Sequence, residues 1–141
     1  MGIEAKGELR NQPAQLPDIM ATFLDITGIE YPSSFNGRKI KPLEGFSMMP
    51  TFSNEPHKRK ILFWEHEGNK AVRKGKWKLV CKYPGDWELY DMVEGRTELS
   101  NLSNENPEVV KEMIELYNKW AERCEVTSWK KLLDYRKKRK I

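Results

Sequence analysis

The sequence predicts an α+β fold, a four-stranded antiparallel sheet packed by a C-terminal helix, and three observations carry that prediction. Between residues 60 and 93, short apolar runs alternate with turn signals at hairpin spacing. Between 107 and 124, apolar residues recur with helical period over a stripe wide enough to cover a sheet. Ahead of both lies one isolated amphipathic segment, at about 17–27, followed by a connector rich in proline.

Residues 1–16 are polar, carry Gly2, Gly7 and Pro13, and show no periodicity, so an extended lead-in is expected. The first helix is marked by Pro17 at a first helical position, by Asp18 at the positive dipole end, and by Gly28 at the C-terminal cap. Ile19, Met20, Phe23, Leu24 and Thr27 recur along it, with Ile26 as a flank, so it needs a partner surface. From 29 to 59 come Pro32, Pro42, Pro50 and Pro56 with Gly37 and Gly45, which predicts mostly irregular structure. A connection of that length is too long for a compact domain and points to something it lies over.

Strand signals start at Lys60. Ile61 to Trp64 form an apolar run, Gly68-Asn69 suits a two-residue turn, and Ala71 and Val72 begin the return. After Gly75, Trp77, Leu79 and Cys81 alternate with Lys76, Lys78, Val80 and Lys82; Pro84-Gly85 turns again before Trp87, Leu89 and Met92. The result is a meander with one apolar and one basic face. Asn106 as N-cap, Pro107 and Glu108 then open the main helix, whose stripe runs through Val109, Val110, Met113, Ile114, Tyr117, Trp120, Ala121 and Cys124. Trp129, Leu132 and Leu133 extend a short second helix before the tail frays. The organisation is thus 1–59, 60–128 and a basic tail at 129–141.

A length of 141 residues and 38% apolar content suit one modest domain with a small core, and 33% charged residues with a mean hydropathy of −0.76 leave much polar surface. The net charge of +4 is concentrated at the end: Lys130, Lys131, Arg136, Lys137, Lys138, Arg139 and Lys140 against Asp134 give about +6, leaving the rest slightly acidic. Such a run can bind nucleic acid, but without interleaved aromatics beyond Tyr135 a solvated tail is the better reading, and no nucleic-acid partner is expected. No apolar run has the ~20 residues that cross a bilayer, so no membrane partner is expected either. Cys81 and Cys124 lack C-x-x-C spacing, which excludes zinc and redox motifs and leaves two buried thiols.

The candidate chemistry is sparse. The only histidines are His57 and His66, no G-x-S-x-G or phosphate-cradling glycine motif occurs, and Ser47 has no helper residue beside it. Glu65, His66 and Glu67 cannot be one three-ligand metal site, because strand alternation puts His66 opposite the two carboxylates. Asn69, Lys70 and Arg73, with Lys76 and Lys78, suit an anion-attracting rim or, more simply, a solvated sheet face. Trp64, Trp77 and Trp87 read as core in preference to sugar-stacking platforms.

Three segments in order carry a family resemblance. "LPDIMATFLDITGIEYP" (16–32) resembles a stretch late in the catalytic domain of type I sulfatases, "FWEHEGNKAVRKGKWKLV" (63–80) resembles the hairpin opening their C-terminal subdomain, and "WELYDMVEGRTELSNLSNENPEVV" (87–110) resembles the segment leading into their last helix. The likeness runs from about Ile3 to Glu125. It implies an alkaline-phosphatase-like α/β domain followed by the sheet-and-helix subdomain, with the first helix left over from the large domain. It also implies hydrolysis of sulfate esters, of a sulfated glycan or an aryl sulfate, by a formylglycine made in a C/S-x-P-x-R motif over a calcium ion.

None of those catalytic motifs is present, since "CKYPG" and "CEVTS" do not fit and no Asp-Asp pair occurs. The expectation is therefore a C-terminal fragment of a bacterial-looking sulfatase, inactive alone, whose partner is the missing catalytic domain and whose calcium and formylglycine lie in that missing part. By the resemblance, His66 and Asn69 fall at a hairpin near the substrate pocket, and Lys70 and Arg73 add attraction for an anionic substrate. Met92, Gly95, Gln15 and Lys70 depart from the commoner family residues, which bears on substrate identity. Members of this type are often exported, so a periplasmic or secreted parent is expected. The competing reading is a stand-alone anion- or glycan-binding module.

Overall fold

A computed structural model describes residues 7–139. Gly2 and the rest of 1–6 in the lead-in, and Lys140 in the tail, lie outside the described residues. The chain forms two compact units divided between Lys60 and Ile61, where composition alone suggested one domain.

In the first unit, α1 spans Leu16–Thr27 with Gln15 as N-cap, so Pro17 occupies the second helical position instead of the first. Asp18 accepts the Gln15 amide at 2.8 Å, and Gly28 closes the helix at a left-handed φ of 68°. The apolar stripe is open: Leu16, Ile19, Met20, Phe23 and Ile26 are exposed, whereas Asp18, Ala21 and Thr22 are the buried residues. The connector is largely irregular. It contains one small hairpin, β1 (Ser34–Phe35) and β2 (Arg38–Lys39), turned by Asn36 and Gly37 in left-handed conformations, and one short helix, α2 (Met49–Phe52). It is fastened to α1 by polar contacts. The Phe46 amide donates to Asp18 at 2.9 Å, and the Met48 amide donates to the Thr22 hydroxyl at 2.9 Å.

The second unit holds the meander β3 (Ile61–His66), β4 (Asn69–Lys74), β5 (Trp77–Cys81) and β6 (Trp87–Asp91), in that order in the sheet. Phe63, Val72, Leu79 and Leu89 form one register row on the inner face, where alternation along each strand brings apolar residues together. On them lies α3 (Pro107–Arg123), which buries Met113 and Tyr117. Trp120 stacks on Phe63 with centroids 5.2 Å apart, and Tyr117 meets Trp87 edge-on at 5.5 Å. Asn106 is the N-cap, but its amide donates to the Leu102 carbonyl instead of capping the first turn.

Four expectations need correction. The outer face is mixed instead of basic, because Leu62 and Tyr90 are buried on it beside Arg73 and Lys78. Trp77 and Trp87 pack on the core, but Trp64 is 40% exposed on that outer face. Cys81 and Cys124 are half-buried free thiols. The tail does not fray after Leu133: α4 runs over Trp129–Arg139 without burying a residue. Arg136 lies over the Trp129 ring and Arg139 over Tyr135, at 5.0 and 4.7 Å from the centroids, and the basic residues sit at the negative dipole end.

Candidate functional site at the hairpin tip

The β3–β4 turn is Glu67-Gly68, both at positive φ (51° and 85°), as a type I′ turn requires. This places the turn one residue earlier than the Gly68-Asn69 reading, and Asn69 starts the return strand opposite His66. Glycine is needed at 68 for a second reason. A Cβ there would come within 2.9 Å of the Trp129 Cβ and 3.0 Å of the Tyr83 ring, so the tip is wedged between two aromatic residues.

The four site residues predicted from sequence do not form one cluster. His66 and Asn69 close the hairpin side by side, both exposed. The Asn69 amide donates to the His66 carbonyl at 2.9 Å while its oxygen accepts the Tyr83 amide at 3.1 Å, so it holds the tip to the β5–β6 loop. Arg73 shares that outer face but lies four residues along β4, about 13 Å away at the usual strand rise. It sits across from Leu62 and Lys78, with its Nε buried and unpaired. Lys70 is on the inner face, in the row Glu65, Lys70, Cys81 and Trp87, with its ammonium over the Trp87 and Tyr117 rings at 5.7 and 5.6 Å.

Two concavities accompany the sheet. One, of about 340 Å3, is lined by Asp91, Glu94 and Glu98, and two of these carboxylates, Asp91 and Glu98, are committed. Asp91 pairs with Lys76 at 2.7 Å and accepts the Val93 amide at 2.9 Å, and Glu98 pairs with Lys78. The Lys76 hydrogen bond, helped by the backbone amides, holds the Asp91 carboxyl below its ordinary value. Among the described residues no group of three His, Cys, Asp or Glu side chains converges as a metal site. Burial pushes the Cys81 thiol pKa up, and its S–H donates to the Gly85 carbonyl. The other concavity, of about 270 Å3, lies at the inner side of the hairpin tip against α3 and the start of α4. Sequence reasoning missed it, having placed Tyr117 in a core stripe and Trp129 at the start of a short second helix with no stated partner.

Residues 2–125 match the family described as N-sulphoglucosamine sulphohydrolase, C-terminal. The chain belongs to that family. An uncharacterized sulfatase of Schizosaccharomyces pombe is 31% identical over 108 residues, which is 71% of this chain and 20% of that protein. The crystal structure of Ps i-CgsB superposes with a TM-score of 0.60 at 22% identity, over 78% of this chain and 24% of that one. A protein solved in complex with its substrate D-glucosamine-2-N,6-O-disulfate gives a TM-score of 0.55 at 26% identity, over 74% of this chain and 23% of it. The chain thus spans about a fifth to a quarter of the length of these relatives. The sheet and helix of the second unit are the fold of a sulfatase C-terminal region, as the resemblance implied.

Proposed function

We infer that the chain is the C-terminal part of a sulfatase that hydrolyses sulfate esters, and that it has no catalytic activity by itself. The observation that carries this reading is the open apolar stripe of α1. Phe23 at 60% exposure, Ile26 at 55% and Met20 at 54% make a face too apolar for a helix that ends at water. In the parent that face docks on the large α/β domain, which supplies the formylglycine and the calcium ion. A sulfated sugar is the favoured substrate class, supported by the 26% identical relative solved with a disulfated glucosamine.

In this reading the sulfatase C-terminal region shapes the rim of the pocket. His66 is an exposed group at the tip. Asn69 positions it through the turn. Arg73 adds positive charge on the same face, and Lys70 acts from the inner side. His66→Ala in the full-length enzyme is expected to raise KM about tenfold for a bulky sulfated glycan, with less effect on a small aryl sulfate; unchanged KM for both removes the rim role.

The gene upstream of the Ile3 codon tests the reading as a whole. A frame open for several hundred codons and containing C/S-x-P-x-R with an Asp pair supports it. A stop codon close upstream overturns it in favour of a stand-alone anion- or glycan-binding module.

A further inference from the structure

The inner cavity at the hairpin tip has the features of a binding site. Tyr117 lines it and is only 3% exposed, yet its hydroxyl has no hydrogen-bond partner. A buried hydroxyl in that state carries a desolvation cost that an incoming acceptor removes. Burial, then the charge of Glu65, pushes its pKa up to about 12, so it remains a proton donor at neutral pH.

Two further donors face the same space. Lys70 lines the cavity and among the described residues forms no ion pair, although Glu65 stands directly across the β3–β4 pair. Glu65 is occupied in another way, accepting the Gly68 amide at 2.8 Å. Trp129 and Lys130 open α4, and both line the cavity. Ser128 caps the helix through its hydroxyl, which accepts the Lys131 amide at 3.4 Å. The amides of Trp129 and Lys130 have no carbonyl four residues back within the helix to donate to, and they sit at its positive dipole end. Glu65 is the acid of this cavity, and the Gly68 amide that it accepts occupies one of its carboxylate oxygens. A volume of about 270 Å3 suits a small molecule.

We propose that this cavity binds a small ligand through one oxyanion group, a carboxylate or a sulfate, held by Lys70, the Tyr117 hydroxyl and the first amides of α4. The site is made by this chain alone and stands whether or not the parent hydrolyses sulfate esters.

The test is an NMR titration of the 141-residue chain with sodium sulfate against sodium chloride at matched ionic strength, then with glucuronate and with glucose 6-sulfate. The amides of Gly68, Trp129 and Lys130 and the Trp129 indole are expected to shift in a saturable way. Saturation by inorganic sulfate identifies a free anion as sufficient, and saturation by the sugars alone identifies a ring-borne one; either result upholds the site. Lys70→Gln is expected to weaken binding at least tenfold and Tyr117→Phe at least fivefold. Because Tyr117→Phe removes an unpaired hydroxyl and keeps the ring, its ligand-free Tm is expected to stay level or rise. No saturable shift with any of the three anions overturns the proposal, as does binding that both variants leave unchanged.

Discussion

Residues 61–139 close on Val72, Leu79, Leu89 and Met113, all fully buried, whereas the most buried side chain described in residues 7–60 is a carboxylate, Asp18. Asp18 receives the amides of Gln15 and Phe46 and a forked Arg59, whose Nε donates to both carboxylate oxygens at 2.9 and 3.1 Å. Arg59 is itself nearly buried and lies over the Phe46 ring, 5.1 Å from its centroid. The second unit is ordered by excluded water and the first by a charged hub, while its apolar stripe stays open. That region spends its polar residues on internal contacts and leaves its apolar ones outside, which is the basis of the docking proposed above.

The sharpest way to break this contrast is Asp18→Ala. It leaves Arg59 buried without its partner, at a cost of about 3–5 kcal/mol. Hydrogen exchange is expected to show protection lost at Phe46 and Met48 with Leu79 unaffected; uniform loss across both units would show that the hub serves the whole chain. Leu79→Ala is the mirror experiment. It opens a cavity under α3 and is expected to cost about 2–4 kcal/mol, read as a fall in the denaturation midpoint of the second unit.

Acid sharpens the same difference. Burial alone would raise the Asp18 carboxyl, but Arg59 and the two amides outweigh it and hold its pKa below the ordinary 3.8. The stability this gives is complete above the unfolded value and is lost as pH falls through the lowered one. Exchange at Phe46 and Met48 is therefore expected to accelerate below about pH 4 before the amide of Leu79 responds; simultaneous loss would contradict the assignment. The smallest effect is expected from Lys74→Ala, which breaks an exposed pair with Glu112 and should cost under about 0.5 kcal/mol. A larger fall in Tm would show that the α3–β4 contact relies on that pair.

Much of the second unit was legible because its signals are local. The period of two across Trp77, Leu79 and Cys81 and the stripe through Met113 and Tyr117 each describe a surface, and the two surfaces meet. The turn was misplaced by one residue because Asn69 is a common turn former, whereas here its amide ties the tip to Tyr83 and the left-handed positions fall on Glu67 and Gly68. Lys70 was grouped with Arg73 by charge, although strand alternation already assigns them to opposite faces. The full extent of α4 was hidden because its contacts are cations over rings, which leave no apolar period to read. The Asp18 hub was not legible either, since Arg59 is 41 residues away and neither residue carries a motif that announces the other.

The glycines of the β3–β4 and β4–β5 turns differ in a way that matters to anyone modifying this molecule. Around Gly75 nothing lies within 4 Å of an added Cβ, although its φ of 57° still favours glycine, so that turn is the place for an inserted tag or a longer loop. Gly68 has no such freedom, wedged against Trp129 and Tyr83. It works as a key in a lock, and a single added methyl there would report, through the fluorescence of Trp129, whether the lock has been forced.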